Sequence, residues 1–227
     1  MEDYTHLKRL LALEANYRLR PEILDRFLAD GTVVALDTYE PMIDAGEYDP
    51  DIYVVKTGLV RGTYLDRNTE KTAGFALPGT LLISFHCFYG GEPSYYRFEA
   101  CCTTTVVKIP KSSFDQLLAE SHEFALWVMS AHQNQLYYNE YKNRMLSGDS
   151  KTKLIQLTCN MTGNADLIEA GHAMSKDELT HRNLVKTEIY SRWKDIFKMV
   201  PSKVIASYLG ITEQHLSKIK REIIRMI

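Results

Sequence analysis

The chain has four cysteines, Cys87, Cys101, Cys102 and Cys159, and none of them forms a C-x-x-C pair. A zinc ribbon or a thioredoxin-like redox site is therefore not expected, and buried thiols in a reducing compartment are. There is no glycine-rich phosphate loop, no Ser-His-Asp order and no metal-ligand spacing, so the reading is not an enzyme. The paired carboxylates Asp49 and Asp51 fall in a turn. Long apolar runs are lacking too. Ala73 to Phe85 contains Pro78 and Gly79 and is too short to span a bilayer. Lys8 and Arg9 interrupt the only early apolar stretch, so no signal peptide is expected and a cytoplasmic location is.

What is present is the composition of a globular protein of 227 residues, 45% hydrophobic and 25% charged. The net charge is −2, but Lys198 to Ile227 carries a local excess of four positive charges, so the body is acidic and the tail basic. That tail reads as two short helices joined by a glycine turn. Val204, Ile205 and Tyr208 share one face of the first helix, with Pro201 ahead of it and Ser202 as its cap. Gly210 suits a sharp stop at positive φ, and Thr212 stands where the next N-cap belongs. Leu216, Ile219 and Ile223 form the inward stripe of the second helix. Gln214, Ser217, Lys218, Arg221 and Arg225 fall in one polar arc on its other side, where amides, hydroxyls and bases can read base edges and neutralise phosphates. Small Ala206 permits a close helix crossing. The pattern predicts a recognition helix with Thr212, Gln214, Ser217, Lys218, Arg221 and Arg225 at the DNA, against the plainer reading of a helical hairpin with a solvated basic face.

Upstream, residues 4 to 29 have helical spacing, with Pro21 near the start of a second helix. From Gly31 the period becomes two. Strands are expected over Thr32–Leu36, Pro41–Ala45, Ile52–Lys56, Leu59–Leu65, Lys71–Ala76 and Ala100–Ile109, which suggests a sandwich or closed roll. A helix over Lys111 to Ala119 follows, then a long one over Glu123 to Met145. The long helix carries a stripe of Phe124, Trp127, Val128, Ala131, Tyr138, Tyr141 and Met145. That stripe is expected to pair with a second copy, and the alternative is that it belongs to the core of the same chain. Ser147 to Ser150 reads as a hinge and Lys151 to Thr158 as a helix. Lys176 to Phe197 reads as a helix anchored by Leu179, Leu184, Ile189, Trp193 and Ile196.

The order of roll, long helix, hinge and helix-turn-helix resembles the Crp-Fnr transcriptional regulators, the relatives of the cyclic-AMP receptor protein. Residues that carry the likeness are Met42 to Glu47, Ile52 to Gly62, Leu77-Pro78-Gly79, Val106 to Leu118 and Pro201 to Lys218, and Ile205 to Thr212 is the most specific piece. The resemblance implies an α+β fold: an N-terminal cyclic-nucleotide-binding-type β-roll over 1–120, a long dimerisation helix and hinge over 121–147, and a helix-turn-helix domain over 148–227. It implies a homodimer on double-stranded DNA, with a small-molecule effector and RNA polymerase as further partners. The family's cassette has a Gly-Glu pair and an Arg-Ser pair, and these positions hold Ile83-Ser84 and Ser94-Tyr95. Without that arginine a cyclic phosphate lacks its charged fork, so cyclic AMP is not the expected effector and the cofactor stays unknown. Arg97 is close but out of register. No cysteine cluster precedes Cys87 for an iron–sulfur centre, and His86 reads as a packed residue more readily than as a haem ligand.

In place of the cassette, Ser84, Phe85, Tyr95, Tyr96 and Arg97 are candidates for a pocket of another kind, and a filled roll with no ligand is the equal alternative. The usual terminal wing is expected to be missing, with extra helices over Lys151 to Asn183 in its place. A module that keeps the roll but no longer binds DNA is the alternative function.

Overall fold

A computed structural model describes residues 3–14, 17, 19–161 and 196–226. It divides into two compact units, Met1–Tyr138 and Asn139–Ile227.

The first unit opens with helices α1 (Thr5–Glu14) and α2 (Pro21–Ala29). Pro21 takes the first helical position of α2, where its missing N–H costs nothing. Eight strands follow: β1 (Thr32–Leu36), β2 (Pro41–Ile43), β3 (Ile52–Thr57), β4 (Val60–Asp66), β5 (Thr69–Ala76), β6 (Leu81–Leu82), β7 (Arg97–Ala100) and β8 (Thr104–Ile109). They form two antiparallel four-stranded sheets, ordered β1-β8-β3-β6 and β2-β7-β4-β5. The strand expected over Ala100–Ile109 starts only at Thr104, as β8, because Cys101 to Thr103 bend between the sheets, and β7, which precedes it, was not expected beyond its last residue, Ala100. β2 stops at Ile43, short of Ala45, and β6 lies hidden in the apolar run around Pro78.

The period-two pattern explains why β3 is buried on both sides. Ile52 and Val54 face a helical layer, and Tyr53 and Val55 face the other sheet. In β8, Val107 and Ile109 likewise join the helical layer while Val106 enters the space between the sheets. Gly58 closes the β3–β4 corner at φ 85°, where an added Cβ would lie 2.7 Å from the Thr103 carbonyl oxygen. Glycine is needed there for both reasons.

Helices α3 (Lys111–Glu120) and α4 (His122–Ser147) complete the layer. Ser121 starts α4, accepting at Oγ the Phe124 N–H at 3.1 Å. The N-terminal part of the α4 stripe, Phe124, Trp127, Val128 and Ala131, packs with Phe27 and Phe114 in the core of its own chain. Ring centroids of Phe27 lie 5.3 Å from Phe124 and 5.9 Å from Trp127. Here the intramolecular reading of the stripe holds. The face left exposed is another one: Met129, Leu136 and Tyr137 are 68%, 65% and 56% exposed.

Among the described residues the second unit is helical. It contains the end of α4, α5 (Ser150–Met161), a turn of helix from Ile196, α6 (Ser202–Leu209) and α7 (Glu213–Met226). Tyr141 and Met145 of α4, Leu154 and Leu157 of α5, and the inner faces of α6 and α7 are buried. The expected helix from Lys176, with Leu179, Leu184, Ile189 and Trp193, lies outside the described residues up to 195, as do residues 162–183 of the segment expected to hold extra helices. Ile196 is buried.

Candidate nucleic-acid interface and effector region

α6 and α7 form the two-helix unit read from the sequence. Pro201, not Ser202, is the residue at the N-cap, and Ser202 is the first helical residue. Proline's fixed φ and missing N–H suit that edge. α6 ends at Gly210, φ 67°, and the Ile211 N–H reaches back to the Ala206 carbonyl at 3.0 Å. That pairing satisfies an end-of-helix acceptor and needs the left-handed residue between. Thr212 caps α7, its Oγ1 accepting the His215 N–H at 3.2 Å. A hydroxyl that accepts this bond can still donate its own proton outward.

Leu216, Ile219 and Ile223 are buried, and Ala206 lies 2% exposed under them. Gln214, Ser217, Lys218 and Arg221 are all exposed. Arg221 Nε lies 3.3 Å from the Ser217 carbonyl. Arg225 belongs to the last turns of α7, and its side chain lies outside the described set. Lys220, off the exposed face, sits 3.3 Å above the Phe197 ring, and burial holds its ammonium below the usual lysine range. The sequence did not single out the links from α5 to α7: Lys151 Nζ lies 2.8 Å from Glu222 Oε2, and His215 Nε2 lies 3.1 Å from Ser150 Oγ. The i, i+4 spacing of Lys218 and Glu222 was a local hint, whereas the partners on α5 left no local signal.

In the roll, the five pocket candidates are placed in different surroundings. Ser84 and Ser94 are each 3% exposed. Ser84 Oγ donates to Ser94 Oγ at 2.9 Å, and Ser94 Oγ donates to the Tyr96 carbonyl at 2.8 Å. Two serines that hold each other thus stand where a carboxylate and a guanidinium would be expected. Phe85 opens a single π-helical turn, His86–Gly90. Its ring stacks on Tyr89 and meets His132 of α4 edge-on, at 6.1 and 6.0 Å. His132 Nδ1 lies 2.8 Å from the Val128 carbonyl, which can only accept, so Nδ1 carries a proton. Tyr95 stacks on Tyr64 at 6.2 Å, and Tyr96 meets both Tyr64 and Phe98.

Arg97 lies elsewhere. Val60, Ala76 and Ala100 are paired across β4, β5 and β7 and belong to the core between the sheets. By alternation Arg61, Glu99 and Arg97 occupy the opposite face. There Arg97 donates to Glu99 Oε2 at 2.7 Å and to Asp44 Oδ1 at 2.8 Å. The hydrogen bond to Glu99, helped by the charge of Asp44, raises its pKa. Glu99 is shared with buried Arg61, whose Nε donates at 2.7 Å, and Arg61 also reaches Glu70 at 2.9 Å. A second cluster joins Asp49 to Tyr53 and Lys108, both at 2.7 Å, and Asp51 accepts the N–H of Lys111 at the start of α3. The paired carboxylates therefore fasten a turn to the sheet and to α3. Burial pushes the Cys101 thiol up to about 12, so it stays protonated at neutral pH. Among the described residues no group of three metal-ligating side chains occurs, and no helix is long and apolar enough to cross a membrane.

Residues 33–121 match the family model described as the cyclic nucleotide-binding domain. The roll is thus similar to that domain over this stretch. The whole-chain likeness is one of fold. FixK2 from Bradyrhizobium japonicum superposes with a TM-score of 0.58 at 18% identity, covering 85% of this chain and 84% of that one. A CooA mutant from Carboxydothermus hydrogenoformans gives 0.58 at 16% identity, covering 88% and 78%. DNR from Pseudomonas aeruginosa gives 0.50 at 14%, covering 98% and 88%. No curated protein matches. The fold is the Crp-Fnr one expected from the sequence: an antiparallel cyclic-nucleotide-binding roll followed by helices. The match to a nucleotide-binding domain covers the roll, and the likeness beyond it is one of framework.

Proposed function

We propose that the chain is a sequence-specific DNA-binding transcription regulator that works as a homodimer, with a roll that answers to something other than cyclic AMP. The observation that carries the reading is the exposed row Gln214, Ser217, Lys218 and Arg221 on a helix whose other side is closed onto α6. Amide, hydroxyl and basic groups at that spacing suit base edges and phosphates in a major groove. Two copies supply two half-sites, and the exposed Met129, Leu136 and Tyr137 of α4 supply an apolar face for pairing. Ser84 and Ser94 lack the charge to hold a cyclic phosphate, and Arg97 is engaged by two carboxylates.

The test is selection from random duplex DNA with the full chain, followed by titration of the enriched duplex at several salt concentrations. Enrichment of a pseudo-palindrome with a steep salt dependence is expected. If no sequence is enriched, the reading fails, and the roll becomes the working part of a module that does not bind DNA.

A further inference from the structure

Glu222 stands one helical turn beyond Lys218 on α7. Its Oε1 lies 4.0 Å from Lys218 Nζ, and its Oε2 lies 2.8 Å from Lys151 Nζ at the start of α5. The Lys218 side chain is 67% exposed and that of Glu222 35%, so the lysine stands out from the surface while the acid lies at its foot. Stepping 100° per residue puts Glu222 and His215 side by side, between the buried stripe and Lys218. Both residues of this flank are tied to the first turn of α5, because His215 meets Ser150 there. α7 is already fixed by Leu216, Ile219 and Ile223, so its burial does not require the acid. A carboxylate at the edge of a face meant for DNA repels phosphate, a cost that attachment through the backbone alone has no base contact to offset.

We infer that Glu222 is a specificity-determining positioning residue of the recognition helix: anchored by Lys151, it holds Lys218 for a base edge and discourages attachment to the backbone alone. The inference rests on the DNA-binding reading. Lys151 acts as the counterion that keeps Glu222 from capturing Lys218 outright. Its loss turns the same carboxylate wholly onto the reader.

The experiment uses the full chain, the duplex selected by the wild type, single-base variants of that duplex, and a scrambled duplex of equal length. Glu222→Gln keeps the shape and removes the charge. Affinity for the scrambled duplex should rise about tenfold, and its salt slope should steepen by about 1 unit per helix. Preference at one base pair of each half-site should relax. Lys151→Met should weaken preference at that same base pair while scrambled-duplex binding falls. If Glu222→Gln shifts only the thermal midpoint, leaving slope and base preference as in the wild type, the pair is an ordinary surface ion pair and the inference is overturned. If the wild type selects no duplex at all, the DNA-binding reading falls and takes this inference with it.

Discussion

Arg61 shows what one residue can commit. It is 7% exposed and pairs with Glu99, itself 4% exposed, in the middle of the second sheet. Removing one partner of a buried pair strands the other, at a cost of roughly 3–5 kcal/mol. Arg97 still faces Glu99, so Arg61→Met should fall near the low end, about 3 kcal/mol, read as a lowered urea midpoint for the roll. Asp49 makes a pH-dependent counterpart. Burial pulls its pKa up, but hydrogen bonds from Lys108, Tyr53 and the Asp51 N–H outweigh that and leave it lowered. A folded pKa below the unfolded one means stability that is full above about pH 4 and drains away as pH falls through the folded value. Urea unfolding at pH 6, 4 and 3 should show that loss in the wild type and a flatter profile in Asp49→Asn. Neither arrangement was legible in the sequence. Arg61, Glu70 and Glu99 are separated in the chain and meet only once the register places β4 between β5 and β7.

Among the elements, α7 was the most legible, because capping, a positive-φ glycine and a 3.6-residue stripe are local signals that agree with one another. Lys218 lies in its second turn and Arg225 in its last. Lys218→Ala should cost roughly 1–3 kcal/mol at one base pair and change the preferred site. Arg225→Ala should weaken all duplexes alike and lower the salt slope by about 1 unit per helix. Titration of both variants against single-base operator variants at two salt concentrations separates the two kinds of contact. α4 was legible in extent but not in orientation. Its aromatic stripe names a buried face, and sequence alone does not say whether the chain itself or a second copy buries it. The structure gives Phe124 and Trp127 to the roll and leaves Met129, Leu136 and Tyr137 outside. Leu136→Glu should therefore convert a species of twice 26.1 kDa into one of 26.1 kDa by light scattering, while Trp127 fluorescence stays native.

For the whole molecule, strand spacing was enough to predict a roll, and the order of elements was enough to suggest its relatives. Ligand chemistry was harder to read, since a fold survives when the side chains lining it change. Calorimetry with cyclic AMP and cyclic GMP should show no heat of binding. A micromolar dissociation constant for either would return Arg97 to the role of phosphate partner, at the expense of its bonds to Glu99 and Asp44. The aromatic cluster of Phe27, Phe114, Phe124 and Trp127 has a consequence for inheritance as well. The recognisable domain ends at residue 121, yet two of the rings that seal its helical layer, Phe124 and Trp127, come from α4 beyond that point. A recombination event that cut at residue 121 would deliver a roll with an open seam. The smallest heritable piece is longer than the piece that sequence comparison marks, and gene fusions that borrow this roll should carry at least the first three turns of α4 along with it.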